Sequence, residues 1–161
     1  MSFNLRLPVR RIAFGLLLAL CGAGTAMADD QRAPKVAPLA TYQQECASCH
    51  VAFPPGMLPA ESWQRLMNKL PRHYGTDASL DPETVKQIST WLTAHAGTYK
   101  RVRDVPPEDR ITRSPWFVRE HREVPAASWK LPTVKSPANC TACHIRADQG
   151  DFNEHDVRIP R

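Results

Sequence analysis

Two five-residue motifs constrain this chain more than anything else in it: Cys46-Ala47-Ser48-Cys49-His50 and Cys140-Thr141-Ala142-Cys143-His144. Each reads C-x-x-C-H, the attachment pattern of c-type haem. The chemistry explains the spacing. Two thiols add to the two vinyl groups of the porphyrin as thioethers, and two intervening residues let both sulfurs reach the ring. The adjacent histidine then lies beneath the iron and supplies the proximal nitrogen. A pair of disulfides is a rival in an oxidising compartment, but it does not explain a histidine after each pair. A four-cysteine zinc site is another, but 90 residues separate Cys49 from Cys140, far more than a zinc ribbon uses. The motifs therefore point to two covalently attached haem c groups, with Cys46, Cys49, Cys140 and Cys143 as anchors and His50 and His144 on the irons.

The fifth cysteine, Cys21, falls in a segment of another kind. Residues 1–28 begin with Arg6, Arg10 and Arg11, continue through an apolar run from Ile12 to Cys21, and end in Ala26-Met27-Ala28. This is the pattern of a secretory signal, cleaved after Ala28. The run is too short for a good membrane span, which takes roughly 20 residues. The expectation is a periplasmic chain with no integral membrane segment once the leader is removed, the compartment in which c-type haem is attached.

Charge needs the same correction. The whole chain has 21 basic and 16 acidic residues, a net +5. Removing the three leader arginines leaves 18 basic residues and a net of only +2. No dense basic stripe survives, so a nucleic-acid partner is disfavoured.

Fifteen prolines in 161 residues exclude long helices and favour much irregular chain. Short helical patterns are legible at 38–50, leading into the first motif, and at 60–70, where Trp63, Leu66, Met67 and Leu70 share a face. The clearest helix is 82–96, with Asp81 as N-cap, Pro82 at the first position and Gly97 as a stop. Its apolar face is Val85, Ile88, Trp91 and Leu92. Residues 98–113 are charged and hold Pro106-Pro107, and they read as a linker. Ser114-Pro115 opens a helix to about Arg122. Residues 123–135 read as irregular, and Ser136-Pro137 starts a short helix carrying the second motif. Residues 145–161 read as loop. The predicted fold is mostly α, two small cytochrome-c-like helical lobes (29–97 and 114–161), each packed around one covalent haem. Trp63, Trp91, Trp116, Phe117 and Trp129 are the expected packing partners.

Each iron has a sixth position. The candidates are His73, His95, His121, His155, Met57 and Met67. His73 lies 23 residues after His50, and His121 lies 23 before His144, so each is near enough to fold over its own haem. Crossing over between the haems is also compatible with the spacing. His95 belongs to a helix face, His155 to a polar tail, and both methionines read as packing. His73 and His121 are the expected distal ligands.

With its flanks the chain resembles the bacterial dihaem cytochrome c family. The resemblance rests on the first motif with Phe53-Pro54-Pro55, on Trp63 with Leu70, His73, Tyr74 and Gly75, and on Ala78-Ser79-Leu80-Asp81. It continues through Arg110-Ile111-Thr112, Trp116-Phe117 and His121, then Asn139 to His144 with the Gly150–Phe152 stretch. It implies two bis-histidine haems and an exported electron carrier. It also implies exchange with a small oxygen-binding c-type cytochrome or a membrane b-type cytochrome. His73 and His121 fall on the family's histidine positions; His95 and His155 do not. The competing functions are an electron-input subunit of a periplasmic reductase, a dihaem peroxidase, which needs an open iron, and a haem-based sensor, for which no signalling domain is present. The expectation is an electron-transfer protein rather than an enzyme.

Overall fold

The computed structural model describes residues 36–160; the leader reading of residues 1–28 lies outside them. The described residues form four α-helices joined by 3-10 turns: α1 (Ala40–Cys46), α2 (Ala60–Met67), α3 (Pro82–Ala94) and α4 (Pro115–Glu120). Only isolated bridges, His73 with Thr76 and His144 with Val157, pair in the manner of strands among these residues. The mostly helical expectation holds.

Local chemistry sets the helix ends. Asp81 accepts from the Glu83 and Thr84 amides, both at 3.0 Å, and Pro82 takes the first helical position of α3. Ser114 caps α4, accepting from the Phe117 amide at 3.3 Å while its own hydroxyl donates to the Ile111 carbonyl at 2.7 Å. The helix predicted over 38–50 is confined to α1, and the first motif finishes in a turn. The helix predicted over 60–70 stops at Met67 and resumes as a 3-10 turn, Leu70–Arg72, around Pro71.

α2 packs on α3, and their apolar faces build the larger core. Tyr42, Leu58, Trp63, Met67, Leu70, Ile88 and Leu92 are buried together. Fully burying a side chain such as Ile88 or Leu92 contributes about 1.5–3 kcal/mol. Trp63 Nε1 donates to the Pro55 carbonyl at 2.7 Å and Tyr42 to the Phe53 carbonyl at 2.9 Å. The loop after the first motif is therefore fastened to the core. A second, smaller core holds Val102, Trp116 and Phe117, with Met57, Tyr99, Ile111 and Trp129 against it.

Residues 98–113, read from sequence as a linker, are packed along much of their length. Gly97 donates to the Leu58 carbonyl at 2.9 Å, and a Cβ there would meet the Gly56 carbonyl and Val102, each at 2.6 Å. Tyr99 donates to Gly56, and Val102 and Pro106 are buried. Arg65 on α2 clasps Asp109, with contacts of 2.8–3.1 Å to both carboxylate oxygens. Tyr74 donates to the Glu108 carbonyl at 2.9 Å, and the Arg110 guanidinium lies 3.9 Å over the Tyr74 ring centre. Glu108 and Asp109 adopt left-handed backbone (φ 58° and 55°), as does Tyr74 (φ 51°), so side-chain contacts hold three non-glycine residues in a costly conformation.

The second motif does not sit on an α-helix as predicted. Cys140–Ala142 is a single 3-10 turn. Asn139 is the physical reason: its amide donates to the Val134 carbonyl and its oxygen accepts from Thr141. These local bonds compete with a helical path. The 145–161 stretch read as loop contains two 3-10 turns, Ala147–Gln149 and Glu154–Asp156. The Arg158 amide donates to the Cys143 carbonyl at 2.8 Å, which pins this stretch to the motif.

Candidate functional site

Two imidazole pairs stand out. The His50 and His73 ring centres lie 6.1 Å apart, and those of His121 and His144 also lie 6.1 Å apart. Each pair joins a motif histidine to one of the two predicted distal histidines, without crossing over. A metal held axially between two imidazoles, at about 2 Å from each nitrogen, separates the ring centres by about 6 Å. The spacing fits an iron between each pair.

The turns that end helices deliver the distal histidines. His73 follows the 3-10 turn Leu70–Arg72, and His121 is the C-cap of α4. One imidazole in each pair is tethered to a carbonyl. His50 Nδ1–H donates to Val51 at 2.7 Å, and His121 Nδ1–H donates to Phe117 at 2.9 Å. A carbonyl only accepts, so the proton is fixed on Nδ1 and Nε2 is left with a free lone pair for a metal. In the other ring of each pair, Nδ1 of His73 and of His144 is buried with no hydrogen-bond partner among the described residues. Burial, and then the charges of His50 and Arg110, push the His73 imidazole below its ordinary range. Burial and then His121 do the same for His144. Both shifts favour the neutral form, the one that binds metal.

Aromatic rings brace each histidine. Phe53 lies against His50 at 5.0 Å with an interplanar angle of 25°, and Phe117 against His121 at 3.9 Å and 19°. Tyr74 meets His73 edge-on at 5.0 Å and 62°, and Phe152 meets His144 at 5.4 Å and 62°. Trp129 lies 5.9 Å from His121. The spacing of four between Phe117 and His121 signalled one of these contacts. Trp129 was expected to pack on a haem and Phe152 belonged to the resemblance, but the sequence pattern assigned neither to a particular histidine, because they reach the site through irregular chain.

The sulfurs complete each site. Cys46, Cys49, Cys140 and Cys143 form no disulfides, which leaves all four sulfurs to anchor a haem. Burial pushes the Cys46 and Cys140 thiols up to about 11, with Glu45 and Cys49 adding to the effect at Cys46. No group of three or more His, Cys, Asp or Glu side chains gathers around a metal position among the described residues, so the two cysteine pairs do not meet in a four-sulfur cluster. Two imidazoles suffice only for a metal that brings its other ligands with it, as haem iron does.

The weaker candidates fall elsewhere. His95 is exposed and tied to the Trp91 carbonyl, and His155 is exposed. Met67 lies in the larger core and Met57 against the smaller one.

Four short helices carrying two cysteine-flanked imidazole pairs define a small dihaem c-type cytochrome. The dihaem cytochrome c family model matches residues 42–152, and the chain belongs to that family. The protein therefore carries two covalently bound haem c groups. No curated protein matches the chain. Among solved structures, it is similar to the dihaem cytochrome c of Shewanella baltica OS155, with 37% identity over 75% of this chain and 92% of that one, at a TM-score of 0.67. Two structures of the Rhodobacter sphaeroides dihaem cytochrome c align at 38% and 39% identity. They cover 73% of this chain and 98% and 100% of theirs, with TM-scores of 0.65 and 0.64. No helix of the described residues is long and apolar enough to cross a membrane.

Proposed function

We propose that the protein is an electron carrier in which Cys46 and Cys49 anchor one haem between His50 and His73, and Cys140 and Cys143 anchor the other between His144 and His121. The observation that carries this reading is the pair of 6.1 Å imidazole separations. Each haem supplies an iron that changes its charge by one electron. The side chains do the rest. The cysteines fix the ring covalently, the Val51 and Phe117 carbonyls orient one imidazole of each pair, and the flanking aromatics brace the histidine rings. Two imidazoles per iron leave no coordination position for peroxide, so the arrangement favours electron transfer over peroxidase chemistry. Little has to move when the electron arrives.

The leader pattern of residues 1–28 supports export to the periplasm. The partners proposed are a small oxygen-binding c-type cytochrome or a membrane b-type cytochrome, supported by the family resemblance. The mature polypeptide's small net charge, offset by haem propionates, suits weak docking that salt disrupts.

Optical spectra of the purified holoprotein test this reading, combined with a pyridine haemochrome count and added carbon monoxide. The expected result is two haems per chain, both low-spin, with no carbon monoxide bound. Replacing His73 or His121 by Ala is expected to turn one haem high-spin and leave the other intact. A variant that keeps two low-spin haems refutes that histidine's assignment.

A further inference from the structure

The two sites use the same ligand types but are built in opposite senses. In the first, the imidazole that is tethered through Nδ1 and lies against a phenylalanine belongs to the motif: His50, on Val51 and Phe53. In the second it is the distal one: His121, on its own helix carbonyl and Phe117. The imidazole planes differ accordingly. They meet at 24° in the first pair and at 71° in the second.

That angle matters to a low-spin ferric iron. An imidazole donates π density through the orbital perpendicular to its ring. Two nearly parallel rings raise the same iron d orbital and split the upper pair. Two nearly perpendicular rings raise both members and leave them close in energy. Axial-ligand surroundings are one of the levers a protein has on its haem.

We propose that Phe117 is a positioning residue that holds the His121 ring across the plane of His144, so that the two irons differ in electronic structure despite identical ligand types. The argument rests on His121 and His144 being the axial pair of the second haem. Two restraints act on His121. The hydrogen bond to the Phe117 carbonyl fixes where Nδ1 points. The near-parallel Phe117 ring at 3.9 Å fixes the remaining rotation about the ring axis. Phe117 is itself held, buried among Trp116 and Trp129 with ring centres at 6.0 and 6.4 Å. Trp129 also flanks His121 and narrows the space into which its ring can turn. Phe53 does the corresponding work on His50, but its partner ring, His73, lies almost in line.

Electron paramagnetic resonance of the frozen, oxidised holoprotein tests this directly. The expected wild-type spectrum holds two low-spin ferric signals in equal amounts: a rhombic one with resolved turning points, and a single steep feature at much lower field. Two coincident rhombic signals overturn the proposal without any variant. In Phe117→Leu the carbonyl tether survives and the ring restraint is lost, so the low-field feature shifts toward the rhombic position while the other signal stays. Phe117→Tyr keeps the ring and restores the wild-type feature. A Phe117→Leu spectrum identical to wild type also overturns the proposal. The underlying ligand assignment fails separately: a His121→Ala protein with both haems still low-spin removes His121 from the iron, whatever the Phe117 variants do.

Discussion

Single atoms at a few residues decide the geometry of these sites. Ser114 is nearly solvent-free, and its one hydroxyl both accepts the Phe117 amide and donates to Ile111. Ser114→Ala removes the cap of the helix that presents His121. It is expected to cost about 1 kcal/mol in denaturant unfolding, with both haems still low-spin. Gly97 is fixed by space rather than by conformation. The 2.6 Å approaches that a Cβ would make to the Gly56 carbonyl and Val102 leave no easy relief. Gly97→Ala is expected to destabilise by about 1–3 kcal/mol, measured the same way. At this scale the sequence was highly legible where chemistry is written in spacing. The cysteines and motif histidines declare themselves, and His73 and His121 stand where short segments bring them to His50 and His144. Trp129 was legible as a packing residue and Phe152 as part of the resemblance, but not which histidine each meets, because only a folded irregular chain puts them there.

Among the elements, the 98–113 segment departs most from expectation. Its prolines and charges look like those of a free tether, yet the charges are spent on specific contacts. Asp109 is the best example. Burial alone would raise its carboxyl, but the Arg65 hydrogen bonds outweigh burial and hold it below the usual carboxylate range. A carboxylate depressed in the folded state contributes stability that is fully present above its unfolded pKa. That stability is lost as pH falls through the lower, folded value. Asp109→Asn is therefore expected to be less stable than wild type at neutral pH by about 1 kcal/mol, since Arg65 is partly solvated. The gap in melting temperature is expected to close in acid, as pH falls through the lowered folded-state value. A gap of the same size at both pH values would mean that packing, not charge, holds this segment. Helices were legible where a cap and an apolar stripe agreed, as in α3. The second motif misled because Ser136-Pro137 resembles a helix start, while Asn139 diverts the backbone and no apolar stripe follows to reward a helical turn.

At the scale of the molecule, the two cores are expected to depend on their haems unequally. The larger core buries seven residues around α2 and α3, whereas the smaller buries three. The larger is expected to keep some packing of its own without haem, and the smaller is not. Replacing Cys140 and Cys143 by Ala is expected to reduce the pyridine haemochrome count from two haems to one and to abolish slow hydrogen exchange in α4. Replacing Cys46 and Cys49 instead is expected to leave measurable protection in α2 and α3. Equal losses in the two variants would contradict this ordering. The surroundings of His73 and His121 are also joined beyond the covalent chain. Tyr74, beside His73, is bonded to Glu108 and covered by Arg110. The Arg113 amide donates to Arg110, Ser114 ties Ile111 to Phe117, and the Phe117 carbonyl holds His121. Mechanically, the two proposed distal ligands hang from one brace. Tunnelling falls exponentially with the gap, so a breathing gap gives a spread of hopping rates and a braced one gives a single rate. For the electron carrier proposed above, such a brace would then set the timing of charge transfer between the irons as well as its path.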